Sequence, residues 1–229
     1  MKKIILLIAI IAIAWSNEKT IFSEPGYGPS TKPFKDPAWQ LPSGVQLADS
    51  IHEYSYCWAF PPYTQVKQKD WRGVPVGFPF CISLRNTGSQ PIIIQFPPEL
   101  VLVSSSPKHQ NTVIIDLGMV EVRAGVTKTI VAQGFCLNKG RTPPSTFEDD
   151  TENLLGYSFG PSKVLPALKE VLDIVESEHI TMNDILKPDG TIDNTKITNY
   201  ATIQSAIWEV TDEKGLTAAT RQKLKELKQ

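Results

Sequence analysis

From residue 45 to about residue 133 the apolar positions come in short alternating runs. Phe78, Phe80, Ile82 and Leu84 alternate with Pro79, Cys81, Ser83 and Arg85, the period of two that buries one face of a strand. Asn86-Thr87-Gly88-Ser89 follows as a turn, and residues 91–103 read as one or two strands interrupted at Pro97-Pro98, because proline cannot donate to a ladder. Residues 112–123 and 126–133 form a further pair around Ala124-Gly125, the spacing of a hairpin. Short strands with turn signals at these intervals predict an antiparallel β-sandwich, Ig-like in a loose sense.

Beyond Phe135 the period changes from two to that of a helix. Val164, Leu165, Leu168, Val171, Leu172 and Val175 fall on one helical face. A second helix is expected from Thr198 or Asn199, either of which can cap it, to about Val210. A third, capped by Thr217, carries Leu216, Leu224 and Leu227 as a sparse stripe. Strands first and helices afterwards give an α+β fold, with an N-terminal sandwich over residues 45–137 and a small three-helix subdomain over 138–229.

The region before the strands has neither period. Residues 17–44 hold five prolines and three glycines without regular spacing, and are expected as an extended leader rather than a packed element. Ahead of them, Lys2-Lys3 and a twelve-residue apolar run over 4–15 are too short to span a bilayer and fit a secretory signal peptide. Two small-x-small sites place cleavage after Ala14 or Ser16. The expected product is exported, to a periplasm, cell surface or medium, with no membrane span once residues 1–16 are removed.

Composition narrows the function classes. The 229 residues carry 23 basic and 24 acidic side chains, and loss of the leader lysines makes the balance more acidic. Nucleic acid is a poor partner for such a chain. Gly134 to Thr142 imitates a phosphate loop with the wrong spacing and Arg141 in place of lysine. His52, His109 and His179 are scattered, so no metal site and no cofactor is expected. Glu148, Asp149, Asp150 and Glu152 read as a solvated loop. Pro188-Asp189-Gly190 lacks calcium-loop spacing, and no Gly-x-Ser-x-Gly elbow is present. Nothing supports a multiple-turnover enzyme.

Three cysteines in an exported chain leave one over after any disulfide. Cys57 and Cys81 both lie in the β-region and are the candidate disulfide, although either could pair with Cys136. Cys136 follows Phe135 where the last strand leaves the sandwich. On the second helix Ile203, Ile207 and Val210 make one apolar face, and Gln204 shares an adjoining patch with Trp208 at i+4 and Ala201 at i−3. An amide in such a patch needs partners. If held beside a thiol under apolar cover, supplied here by Phe135 and Trp208, it can also be attacked by the sulfur with loss of ammonia, giving an internal thioester.

Phe135-Cys136-Leu137 followed by Ile203-Gln204-Ser205-Ala206-Ile207-Trp208 resembles the thioester domains of bacterial surface adhesins. More loosely, the mature chain is similar to uncharacterised exported bacterial proteins with a β-domain and a Gln-x-Ala-Ile-Trp helix. The adhesin resemblance implies that Cys136 is the sulfur, Gln204 the acyl donor and Trp208 the family's aromatic. It implies one-time covalent attachment to a nucleophile on an unidentified surface protein or glycan. Two other readings stand beside it: a plain protein- or glycan-binding module using the aromatics Tyr54, Tyr56, Trp58, Phe60 and Tyr63, and a subunit of a cell-envelope assembly. In both, Cys136 and Gln204 are structural.

Overall fold

The computed structural model describes residues 24–53, 70–72, 77–147, 154–177, 197–213 and 215–227. The expected signal peptide, the aromatic segment 54–63 with Cys57, the acidic run at 148–152, His179 and the turn at Pro188 lie outside the described residues. Among the described residues no helix is long and apolar enough to cross a membrane.

The protein is an α+β fold, with strands ahead of three C-terminal helices among the described residues. The strands are β1 (Val45–Leu47), β2 (His52–Glu53), β3 (Trp71–Arg72), β4 (Phe78–Asn86), β5 (Ile92–Gln95), β6 (Glu99–Ser104), β7 (Thr112–Ile115), β8 (Met119–Val122), β9 (Thr127–Cys136) and β10 (Tyr157–Phe159). The helices are α1 (Pro166–Ser177), α2 (Ile197–Thr211) and α3 (Ala218–Lys225). Eight strands make one sheet in the order β1-β4-β9-β7-β6-β10, and β5 pairs with β8 in a second, two-stranded sheet. Two edges are shared in tandem. β1 and β2 both lie along β4, while β3, parallel, and β7, antiparallel, lie along β9.

Alternation along the central strands separates two cores. Leu100, Leu102, Ile114, Ile130 and Ala132 face Ile94, Val120 and Val122 of the small sheet and Phe96 just beyond it. Val101, Val113, Ile115, Phe135 and Leu137 face the other way, onto Leu168, Val171, Leu172, Val175, Ile203, Ile207 and Val210 of the helices. The large sheet is therefore the middle of three layers, buried on both faces, which accounts for the consecutive apolar residues Val113, Ile114 and Ile115 on β7. The sandwich is unequal, with the helices covering the face that the small sheet does not.

Three local expectations differ from what forms. The pair at 112–133 is not a hairpin: β7 and β8 are separated by Asp116 and Gly118, both at positive φ. That turn carries the chain from the large sheet to the small one, and Gly125 (φ 68°) brings it back. The segment after residue 137 returns to the sheet as β10, whose Tyr157, Ser158 and Phe159 pair with Ser104, Val103 and Leu102. The described part of the leader, residues 24–44, is irregular but packed, not free. Tyr27 is 5% exposed in the helix-side core, and Trp39 lies 5.0 Å from Phe96 and 5.2 Å from Phe159, ring centre to ring centre. Aromatics between prolines bury apolar area without needing a hydrogen-bonded ladder.

The helices start and end for local reasons. α1 opens on Pro166, whose missing N–H is no loss in the first turn. α3 is capped by Thr217, whose hydroxyl accepts from the Thr220 N–H at 3.1 Å.

Candidate functional site

Cys136 is the last residue of β9, and its surroundings follow from where the neighbouring strands stop. The ladder between β4 and β9 ends at Phe78 opposite Gly134, whereas β7 continues to Thr112 opposite Cys136. The next bond on the β7 side runs from the Leu137 N–H to the Asn111 carbonyl at 2.9 Å. Bonded and non-bonded pairs alternate in an antiparallel ladder, so Thr112 and Cys136 form a pair without backbone hydrogen bonds. The N–H and C=O of Cys136 therefore point to the β4 side, beyond the last pair of the β4–β9 ladder. Left alone they would be buried and unsatisfied.

Gln204 satisfies both. The Cys136 N–H donates to Gln204 Oε1 at 2.9 Å, and Gln204 Nε2 donates to the Cys136 carbonyl at 2.8 Å. The side-chain amide stands in for one peptide of a missing strand. The residue that supplies it sits mid-helix on α2 and is 3% exposed. Tyr200, one turn earlier, adds a second donor to the same oxygen through its hydroxyl at 3.4 Å. Its ring stacks on Phe135 with centroids 5.5 Å apart.

Two hydrogen bonds to the N–H and C=O of one residue place the amide carbon opposite that residue's Cα. The carboxamide continues the ladder and so lies close to the sheet plane, while strand side chains stand roughly perpendicular to that plane. The Cys136 side chain thus leaves the strand out of the plane in which the carboxamide lies. Alternation assigns the Cys136 side chain to the face of Gly134 and Thr112, and Phe135 to the opposite face with the helices. Consistent with this, a Cβ on Gly134 would sit 3.2 Å from Thr112 Cβ.

Cys136 is a free, buried thiol. Burial pushes its pKa up to about 12, so at neutral pH it is protonated and a weak nucleophile until its charge is stabilised. The carbonyl oxygen of Gln204 is better prepared. Two donors aimed at it polarise the carbon and would hold the negative charge of a tetrahedral adduct.

Of the residues read from the sequence, the structure brings Cys136 and Gln204 together, while Phe135 and Trp208 differ in what they touch. Phe135 supports Tyr200 from the helix side. Trp208 is half-buried rather than sealed, and the ammonium of Lys139 lies 5.8 Å from its ring centroid. Ala201 is exposed; Tyr200 at i−4 takes the place expected of it. Cys81 is disulfide-bonded and 3% exposed on β4, and Cys57 lies outside the described residues. Two of the histidines that are scattered in the sequence are buried, with His52 Nδ1 at 3.1 Å from the Leu155 carbonyl and His109 1% exposed. Among the described residues no cluster of His, Cys, Asp and Glu could hold a metal ion.

Sequence reasoning missed the asparagines that anchor this corner. Asn138 Nδ2 donates to the carbonyls of Gly26 (3.1 Å) and Gly28 (2.8 Å), while its Oδ1 accepts from the Asn111 N–H at 2.8 Å. Asn111 Nδ2 also reaches the Gly26 carbonyl at 3.0 Å, and the Gly28 N–H donates to the Leu137 carbonyl at 3.0 Å. The end of α2 is tied to the same place, since the Lys139 N–H donates to Asp212 Oδ1 at 3.0 Å. The leader thus wedges between the end of β9 and the end of α2. A polar Asn two residues after the cysteine was the available signal. The chain matches no protein family, no curated protein and no solved structure in comparisons with known proteins.

Proposed function

We propose that Cys136 and Gln204 form an internal thioester in an exported protein, and that this bond is used once to acylate a nucleophile on a target surface. The observation that carries the reading is the two-point hydrogen bond of the Gln204 carboxamide to the Cys136 peptide. It holds the amide carbon beside the residue that bears the sulfur and directs two donors at the amide oxygen. In the forming step Sγ bonds to Cδ of Gln204, the C–N bond breaks, and nitrogen leaves as ammonia with the thiol proton. In the using step an amine or hydroxyl of the target displaces the sulfur, which returns to a thiol. No turnover is needed, so the protein is a single-use acyl donor rather than an enzyme.

Intact mass of the mature protein tests this. The expected chain is lighter by one ammonia, and incubation with methylamine adds methylamine to Gln204. An unshifted mass, with Cys136 alkylated normally after denaturation, would overturn the reading. We also propose Cys57 as the partner of Cys81, the arrangement suited to an oxidising compartment. Two further hydrogens should be missing from the unreduced chain, and peptide mapping that links Cys81 elsewhere would refute it.

A second reading rests on the same bonds. The Gln204 amide satisfies two buried backbone groups at a sheet end, which is a sufficient structural reason for a glutamine there. Under it the protein is a binding module or envelope subunit, and a Cys136→Ala chain keeps full association with its partner.

A further inference from the structure

Thr112 has an anomaly that the thioester reading alone does not use. It is fully buried on β7, followed by Val113, Ile114 and Ile115, and its Oγ1 has no hydrogen-bond partner. A valine would have the same shape and no polar atom to bury, so the hydroxyl is kept at a cost. Its register partner is Cys136. In a pair without backbone hydrogen bonds the two side chains leave the same face at the closest cross-strand approach, with Cβ atoms about 4.5–5.5 Å apart. The orphan hydroxyl and the buried thiol are therefore neighbours.

We propose that the Thr112 hydroxyl is the hydrogen-bond donor to the Cys136 sulfur when that sulfur becomes negative, both as the thioester forms and as the thiolate leaves during transfer to the target. The proposal rests on the thioester reading for its chemistry and on register and burial for its geometry. No proton is transferred to or from threonine: the O–H stays intact, and the thiol proton departs with ammonia. Carrying no partner in the resting state, the hydroxyl has no bond to give up when the charge appears. This offsets part of the cost of making a thiolate in an apolar surround. The other titratable groups facing the sulfur are the phenols of Tyr157 on β10 and Tyr200 on α2, both pushed up by burial. Neither can supply a positive charge; the Tyr157 hydroxyl is a second buried neutral O–H on this side of the sheet, and Thr112 is distinguished from it by being the register partner of Cys136.

The test uses the full mature chain with Thr112→Val, which keeps the shape, and Thr112→Ser, which keeps the hydroxyl. Ammonia loss is followed by mass during refolding, and acyl transfer by methylamine uptake. Thr112→Val is expected to slow both by roughly tenfold or more, the effect of removing one hydrogen bond to a charged atom, at undiminished thermal stability. Thr112→Ser is expected to stay near the wild-type rates. Wild-type rates in a folded Thr112→Val chain would overturn the proposal. If the wild-type chain never loses ammonia, the thioester reading fails by itself, and a double-mutant cycle of Thr112→Val with Cys136→Ala still decides the contact. Because the folded thiol keeps its proton up to about pH 12, stability coupling that is small in the ordinary thiol range and grows as pH approaches 12 supports the hydroxyl–sulfur bond, and the cycle cancels the two tyrosines. Coupling that is absent or independent of pH overturns it.

Discussion

At the scale of single residues the site is a thiol whose ionisation the fold opposes. The folded chain keeps the Cys136 proton up to about pH 12, whereas an unfolded chain loses it in the ordinary thiol range. Folding therefore takes up a proton between those limits, and stability that is intact below the ordinary range is lost as pH rises towards 12. Cys136→Ala is expected to flatten this alkaline loss, measured as Tm against pH for the two chains. A chain whose sulfur is acylated has no proton there to lose, so parallel curves together with an unshifted mass would contradict the burial. The pairing of Cys136 with Gln204 was legible because a glutamine beside a tryptophan on a helix, in a chain with an odd cysteine, makes specific demands. Tyr200 and Thr112 were not. One acts through a stack onto another element and the other through strand register, and neither relation leaves a local trace.

At the scale of elements the leader is where local reading fell short. Prolines spaced without period predict an absence of regular structure, and residues 24–44 have none. They do not predict whether the segment packs, which Tyr27, Phe34 and Trp39 decide. Gly28 has φ 53°, and a Cβ there would stand 2.2 Å from the Thr211 carbonyl oxygen. Gly28→Ala therefore meets both a strained backbone and a collision with α2, and should cost more than about 1 kcal/mol. Asn138→Ala removes three hydrogen bonds at the same junction and should cost about 3 kcal/mol or more. Urea denaturation checks both, and losses of only a few tenths of a kcal/mol would show that the leader is not part of the folded unit. The helices were legible throughout, because Leu168, Val171, Leu172 and Val175 report their face directly. The hairpin expected at Ala124-Gly125 failed because alternation reports which face of a strand is buried, not which sheet the strand joins.

At the scale of the whole molecule the large sheet is common to both cores, so the helical part has no separate interior. Ile130 and Ala132 lie on the same strand as Phe135, yet they and Phe135 face opposite layers. The helices are therefore expected to melt with the sheet rather than before it. Ile207→Ala, deep in the helix-side core, should cost about 2–5 kcal/mol and lower one shared transition. Coincident far- and near-ultraviolet circular dichroism curves would show this, and an early helical melt in the variant would refute it.

The glutamine that completes the sheet comes from 68 residues downstream of the cysteine it meets, with β10 and α1 in between. Until that long loop closes, the chain carries an ordinary thiol and an ordinary amide, neither of which reacts with the other. Arming of the site is thus tied to folding: the proposed electrophile is assembled only by the docking of α2, and an extended polypeptide passing through other machinery would be chemically inert.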